Sequence, residues 1–279
     1  MPPVAAMDAV GKTNDNESAD AAAWDGLVRE LDAWAGAGRV ATLWWRDDDA
    51  ADAVPALDRL VALADRHAAP LTLATVPMPA TEALARRVLQ SGQVAVIQHG
   101  FAHANHAPRG QGLGAWELGL HRGLAAVEAD LAAGADTLVR LFGDRFVPVV
   151  APPWNRIAAA VVARLPALGY RGLTAGEPRV TAHPVDGLTQ VNAHADPIRW
   201  KGGARFKGVA KSLGDLVEHL AARRAGTVDA EEPTGLLTHH LDTDDACWAY
   251  LDRLLATVTG HPAVRWLSAP VIWPAETGA

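Results

Sequence analysis

Short apolar runs alternate with longer segments of helical periodicity along most of the chain. The apolar runs predict β-strands at Val40–Trp45, Leu71–Val76, Val94–Gln98, Phe146–Ala151, Arg171–Thr174, Leu188–Asn192, Gly235–Thr238 and Val264–Leu267. Hydrophobic positions recur every three to four residues in the helical segments, which are Pro55–Arg66, Thr81–Leu89, Ala115–Phe142, Ile157–Leu168, Leu213–Arg224 and Asp245–Val258. This alternation predicts an α/β fold: an irregular (β/α) barrel of about seven to eight strands in a single domain, rather than an open doubly wound sheet.

The first twenty residues mix Pro, Ala, Asp, Asn and Glu, so we expect a flexible segment at 1–20 and the folded domain at 21–279. They have no basic start followed by an apolar run, and no window approaches the ~20 apolar residues that span a bilayer. We therefore expect a cytoplasmic protein without a membrane partner. The net charge of -7 argues against a nucleic-acid partner, and the single cysteine, Cys247, excludes a multi-cysteine zinc site.

Acidic and histidine side chains follow five of the predicted strands at their carboxyl ends. The segments that carry these strand-end residues are 46–49, 99–106, 151–155, 194–200 and 238–240. In a (β/α) barrel these ends meet on one rim, and that rim is where such barrels place their chemistry. The sequence therefore predicts an enzyme with its active site on this rim.

His99 and His103 are four residues apart, a spacing that on a helical turn brings two imidazoles close enough to share a cation. Asp47 or Asp48 would add a carboxylate from another strand end, and three protein ligands leave a position open, as in catalytic metal sites. Two surface histidines and acids that cap the helix at Pro55 are the simpler alternative. Residues 48–52 also match the D-D-x-x-D of prenyl transfer, but that motif belongs on a helix of an all-α protein.

These strand-end segments resemble the five motifs of the polysaccharide deacetylase family, metal-dependent carbohydrate esterases, in the family's order. Residues 45–49 resemble T-F-D-D-G, 99–103 resemble H-[ST]-x-x-H, and 151–155 resemble R-P-P-Y-G. The Asp-and-Trp motif resembles 196–200, and L-x-H resembles 237–239. The resemblance extends over nearly the whole ordered chain, from Val40 to Leu267.

The resemblance implies a divalent metal, with Zn²⁺ first and Co²⁺, Mn²⁺ or Ni²⁺ as alternatives, held by Asp48, His99 and His103. It also implies Asp47 as the catalytic base, so that Asp47→Asn keeps the metal and loses activity, and His239 as the general acid. The substrate and the oxyanion would meet residues of the third and fourth motifs: Pro153, Trp154, Asp196 and Trp200.

The chain departs from the family pattern at three positions. Ala151 replaces the arginine that orients the base, a task that Arg46 or Arg156 would have to take over. Gly100 replaces the hydroxyl residue. Asp49 replaces a glycine, so a register with Asp48 as base and Asp49 as ligand stays open. Three further histidines near the rim are expected to support the site: His106, His194 and His240.

We therefore expect a hydrolase that removes an acyl group, N-acetyl first, from an amino sugar or a related small molecule or oligosaccharide. Ala151 motivates one alternative, a catalytically inactive carbohydrate-binding relative. A second alternative is a non-haem iron enzyme, because two histidines and one carboxylate also suit Fe(II) oxygenases. Release of acetate from acetylated sugars distinguishes the three.

Overall fold

A computed structural model describes the backbone of residues 4–275 and the side chains of residues 17–275. Its strands are β1 (Ala41–Ala50), β2 (Leu71–Thr75), β3 (Val94–His99), β4 (Phe146–Ala151), β5 (Gly172–Leu173), β6 (Thr189–Gln190), β7 (Ile198–Arg199), β8 (Arg205–Phe206), β9 (Thr234–Thr238) and β10 (Val264–Trp266). Its helices are α1 (Val4–Gly36), α2 (Pro55–His67), α3 (Glu82–Leu89), α4 (Leu124–Phe142), α5 (Ala159–Val162), α6 (Val209–Ala225), α7 (Asp245–Thr259) and α8 (Ala269–Ile272).

The main sheet is parallel and runs in the order β10-β1-β2-β3-β4-β5-β6, with β9 also paired to β1. Backbone bonds from His194 and Ala195 to Gly235, and from Leu237 to Ala195, connect the chain after β6 to β9. The sheet therefore curls back toward β1, and the predicted irregular (β/α) barrel is confirmed. The strands β7 and β8 form a separate antiparallel pair on the connection to α6.

Alternate residues of β1 face two different cores, as the two-residue period of a strand requires. Leu43 and Trp45 pack against the helices, whereas Trp44 packs with the barrel interior, which Trp273 also helps to fill. Gly172 leaves room for this tryptophan: a Cβ at position 172 would lie 2.5 Å from Cδ1 of Trp273. The same alternation places the next residues of β1 on opposite faces of the sheet. It therefore determines which of the acids at the end of β1 face the barrel interior.

The helical prediction for Ala115–Phe142 is too long, because α4 begins only at Leu124. Gly123, at φ 83°, breaks the helical backbone directly before it. The predicted helix Ile157–Leu168 shrinks to the four-residue α5 and a 3-10 turn at Pro166–Leu168, since proline has no N–H for a continuing helix. The β7–β8 pair was not predicted from the sequence.

Four apolar residues of α1 are buried and pack in the helix-side core: Trp24, Leu27, Leu31 and Trp34. Of the segment predicted to be flexible, residues 1–3 lie outside the described residues, and α1 begins at Val4. The boundary of the domain at residue 20 therefore stays a prediction. Among the described residues, we find no helix with the length and apolarity that crossing a membrane requires.

Candidate metal centre

A cavity of about 300 Å³ opens at the carboxyl ends of β1, β3, β4 and β9. Residues from all five sequence segments line it: Asp48, Asp49, His99, His103, Trp154, Asn155, Asp196, Trp200, Leu237 and His239. The rim predicted from the sequence therefore exists, and its polar residues line one cavity.

One carboxylate and two imidazoles converge inside this cavity. Oδ1 of Asp49 lies 3.2 Å from Nε2 of His99 and 3.3 Å from Nε2 of His103. The Nδ1–H of His99 donates to the carbonyl oxygen of Ala151 at 2.9 Å, so the lone pair of its Nε2 points toward Asp49. Three donor atoms of this type, all within 4.8 Å of one another, fit a divalent ion.

The electrostatics of Asp49 and His103 suit ligand roles, whereas at His99 burial and the charges of Asp48 and Asp49 act in opposite directions, with a net rise of its pKa. Burial alone would raise the pKa of Asp49, but the hydrogen bond and charge of His99, with the charges of His103 and His239, hold that pKa below its ordinary value. Burial, assisted by the charge of His99, lowers the pKa of His103. Asp49 is therefore a carboxylate, and His103 has a lone pair available for a cation.

Asp49 reaches the histidines because the chain turns sharply at the end of β1. Its backbone adopts φ 71°, in the left-handed region that non-glycine residues rarely enter, and the pairing of β1 with β2 shifts register between Asp47 and Ala50. This turn moves the Asp49 side chain out of the strand alternation and toward β3. Asp49, rather than Asp48, is thus the carboxylate beside His99 and His103.

Asp48 lies on the interior face of β1, two residues after Arg46, and pairs with it. Its Oδ1 is 2.9 Å from Nε of Arg46, and its Oδ2 accepts from Nη2 at 3.0 Å. Oδ2 also lies 4.0 Å from Nε2 of His239. Asp48 therefore stands between a buried cation and the cavity.

Asp47 faces the opposite side of β1, away from the cavity. Its Oδ2 accepts from Oγ1 of Thr238 at 2.7 Å and from the backbone N–H of His240 at 3.0 Å, and its Oδ1 lies 2.5 Å from Nδ1 of His240. The sequence analysis preferred Asp47 as the base and Asp48 as the metal ligand, and this arrangement differs from that assignment. It favours the alternative, in which Asp48 is the base and Asp49 is the ligand. The physical reason is strand alternation, which sends Asp47 outward with Trp45.

Arg46 is fully buried, and its guanidinium is held from several sides. Besides Asp48, it donates to Oδ1 of Asn155 at 2.8 Å and to Oγ1 of Thr174 at 3.0 Å. Ala151, where the family has arginine, packs in the barrel interior. Arg156 instead donates to the carbonyl of Leu113, so Arg46 is the guanidinium next to the cavity acids.

His239 and Asp196 form another part of the cavity wall. Nδ1 of His239 lies 3.9 Å from Oδ2 of Asp196, and that carboxylate accepts from Nε1 of Trp200 at 2.8 Å. Burial raises the pKa of Asp196, although the charge of His239 and the bond from Trp200 oppose the shift. The Trp200 ring packs edge-on against His239, with ring centroids 4.6 Å apart.

Trp154 forms the second aromatic wall, on the side of His103. The two rings lie 4.5 Å apart between centroids, and Trp154 adopts φ 56°, which turns its indole to the cavity edge. Pro153 is buried beneath it against Gly100: a Cβ on residue 100 would lie 2.7 Å from Cγ of Pro153. The third motif thus supports the histidine loop as well as the cavity wall.

The other predicted supporting histidines do not line the cavity. His240 is the partner of Asp47, His106 bonds through its backbone to Trp116, and His194 borders a different cavity. Sequence reasoning did not identify Asn155 as a partner of Arg46. It also did not identify Glu117, a buried residue in a segment predicted to be helical.

A second group of two histidines and one carboxylate, His194, His219 and Glu232, lies outside this cavity. The N–H of Gly235 donates to Nδ1 of His194 at 2.9 Å, so the neutral ring carries its proton on Nε2, which is 3.4 Å from Oε2 of Glu232. The His219 ring stacks on it, 3.4 Å between centroids at 13°. The protonated Nε2 of His194 has no lone pair to offer a metal ion. In addition, the lone pairs of two stacked rings lie in parallel planes and do not converge on one point, so this group does not fit a metal ion.

The stacked pair instead predicts acid sensitivity. Burial, with the charges of His194 and Arg223, lowers the pKa of His219 to about 2, against about 6.5 in the unfolded chain. As pH falls below about 6.5, the unfolded chain binds a proton there that the folded chain does not, so the free energy of unfolding falls by up to about 1.4 kcal/mol per pH unit. Urea unfolding between pH 7 and pH 5 should show a shallower loss for His219→Phe than for the wild type. Parallel pH dependences in the two proteins would contradict the assignment.

Comparisons with known proteins connect this geometry to a class of fold. No family model and no curated protein matches the chain by sequence. A Mycobacterium smegmatis structure assigned as a polysaccharide deacetylase superimposes with a TM-score of 0.60 at 14% identity, over 83% of this chain and 87% of that one. Bacillus subtilis PdaA, a family 4 carbohydrate esterase, gives a TM-score of 0.51 at 13% identity, over 89% and 87%.

A mutant of BA3943, a pseudoenzyme of the same esterase family with restored activity, gives a TM-score of 0.52 at 13% identity, over 84% of this chain and 68% of that one. The chain therefore has the fold of the family 4 carbohydrate esterases. The resemblance to polysaccharide deacetylases that five motifs suggested is confirmed at the level of this fold. Because the fold also occurs in a pseudoenzyme, activity must be argued from the site itself.

Proposed function

We propose that this protein is a metal-dependent hydrolase that removes an acyl group, N-acetyl first, from an amino sugar or a related small molecule or oligosaccharide. One observation carries the proposal: Asp49, His99 and His103 converge in a cavity that also holds Asp48 and His239. Such a cavity unites a site for a cation, a proton acceptor and a proton donor, which is what amide hydrolysis requires.

Asp49, His99 and His103 would hold the ion, and their mixed nitrogen and oxygen donors suit Zn²⁺ first, with Co²⁺, Mn²⁺ or Ni²⁺ as alternatives. When bound there, a divalent ion supplies Lewis acidity, which polarises an acyl carbonyl and makes a water molecule more acidic. His99 is oriented for this role by its bond to Ala151. Asp48 instead pairs with Arg46, which supports a role for it outside the ligand set.

Asp48 acts as the general base in this proposal, with its Oδ2 taking the proton of the attacking water. Arg46 fixes the direction of that carboxylate, the task of the family arginine that Ala151 replaces. His239 donates a proton from Nε2 to the leaving amine, and Asp196 steadies the imidazolium from the Nδ1 side. The backbone N–H of Trp154 is the proposed oxyanion donor.

Trp154 and Trp200 flank the cavity from the sides of His103 and His239. Indoles offer flat apolar faces with a polar edge, which suits the faces of a sugar ring. A cavity of about 300 Å³ has room for one sugar ring. We therefore expect the acetamido group of a single sugar unit, free or at the end of a short oligosaccharide, to enter. A cytoplasmic location stays a prediction from the sequence.

An acetate-release assay tests the proposed function. Protein loaded with Zn²⁺ or Co²⁺ should release acetate from N-acetylglucosamine or its short oligomers, and His99→Ala, which lacks a ligand, should not. Release of acetate in the absence of molecular oxygen would argue against the alternative of a non-haem iron oxygenase. Binding of the sugars without any turnover would contradict the proposal and favour an inactive carbohydrate-binding relative.

A further inference from the structure

Glu117 is a buried carboxylate that organises the loop carrying His103. Only 1% of its surface is exposed, although it lies in an irregular segment between β3 and α4. Its Oε1 accepts from the backbone N–H of Ala102 at 2.7 Å and of Ala104 at 3.3 Å, and its Oε2 accepts from that of Phe101 at 3.2 Å. One side chain thus holds three amides that surround His103.

The loop needs such support because its backbone is strained at His103. This residue adopts φ 53°, a left-handed conformation that is unfavourable in free energy for any residue with a side chain. Gly100, at the start of the loop, is also left-handed, at φ 56°. A side chain at position 100 would collide with the Glu117 carboxylate. The family's hydroxyl residue therefore does not fit here, and a distant glutamate contacts the loop instead.

The segment that carries Glu117 is itself anchored on both sides. Oδ1 of Asn105 accepts from the N–H of Trp116 at 3.0 Å, and the N–H of His106 donates to the carbonyl of Trp116 at 2.8 Å. Leu118, on the other side, accepts from the N–H of Ala158 at 3.0 Å, in the chain just after the Trp154 wall. Glu117 is thus fixed relative to the histidine loop and to the aromatic wall.

We propose that Glu117 is a positioning residue that holds His103 in the geometry for metal binding, an inference that rests on the proposed function. Its carboxylate acts through the amides of Phe101, Ala102 and Ala104, not by touching the ion. Groups of this kind behind a metal ligand typically change metal affinity by about 10–100-fold when they are removed.

Zinc titration and imidazole ¹⁵N spectra of the full chain test this role. Wild-type protein should bind one Zn²⁺ per chain, with the Nε2 resonances of both His99 and His103 shifted by the ion. In Glu117→Ala the Kd should rise by about 10–100-fold, and only His99 should remain coordinated. Glu117→Gln should show a smaller rise, because its oxygen can still accept from Ala102 and Ala104 while its NH₂ group faces the N–H of Phe101.

Glu82→Gln is the matched control, because this glutamate is exposed on α3, and it should bind zinc as the wild type does. If Glu117→Ala fails to fold, Glu117→Gln decides. Wild-type affinity with both histidines coordinated in Glu117→Gln and in any folded Glu117→Ala would overturn the inference. A wild-type chain that binds no zinc would instead contradict the proposed function, and with it the premise of the inference.

Discussion

Asp48→Asn should lower kcat/KM for acetate release by about 10²–10⁴-fold and leave zinc affinity nearly unchanged. Asparagine keeps the shape of the side chain and can still accept from Arg46, but it cannot take a proton from water. The ion is held by Asp49, His99 and His103 in the proposed site, so its affinity should not follow the activity. Steady-state kinetics with measured metal content checks both halves of the prediction.

Asp47→Asn is the matched control for this experiment. Asp47 faces away from the cavity, and an asparagine there still offers an oxygen to Thr238 or His240. We expect most of the turnover to remain, at some cost in thermal stability. If Asp47→Asn instead binds zinc but loses turnover, while Asp48→Asn stays active, then Asp47 is the general base. That result would agree with the role that the family resemblance first implied for Asp47.

Arg46→Met should lower the free energy of unfolding by about 3–5 kcal/mol, because it leaves the Asp48 carboxylate buried without its cation. Arg46 is fully buried and Asp48 is 4% exposed, so water from the cavity would replace the lost partner only in part. The double variant Arg46→Met/Asp48→Asn removes the uncompensated charge and should regain a large part of the loss. Urea unfolding of the three proteins measures the effect.

The double variant makes the explanation testable. If it is no more stable than Arg46→Met alone, the loss comes from the bonds of Arg46 to Asn155 and Thr174, not from the unpaired Asp48 charge. A loss below about 1 kcal/mol in the single variant would show that solvent screens the pair as it does at a protein surface.

Much of the barrel could be predicted from the apolar runs, since β4 occupies the predicted Phe146–Ala151 and β2 and β3 end within a residue of their predicted ends. The strand β1 runs on to Ala50, beyond the predicted end at Trp45. The residues after Trp45 in this strand are mostly charged, so a prediction from hydrophobic runs ends before them. The strand continues past Trp45 because Arg46 and Asp47 pair with both β9 and β2, and Ala50 pairs with β2.

Most residues of the candidate site could be predicted from the sequence, but which of the adjacent acids lies beside the histidines could not. The spacing of His99 and His103 was visible in the sequence, whereas the left-handed turn at Asp49 and the register shift of β1 were not. Alternation along a strand does place Arg46 and Asp48 on one face, so that pair was within reach of sequence reasoning. Glu117 was not, because no local pattern signals that its carboxylate folds back onto amides 13 to 16 residues earlier.

Calorimetric titration of Zn²⁺ into wild-type, Asp49→Ala and Asp48→Asn proteins identifies the carboxylate that binds the ion. If Asp49, His99 and His103 form the metal centre, the wild type binds one ion per chain, Asp49→Ala loses that binding, and Asp48→Asn keeps it. No binding by the wild type, or binding that survives in Asp49→Ala and disappears in Asp48→Asn, would contradict this metal centre.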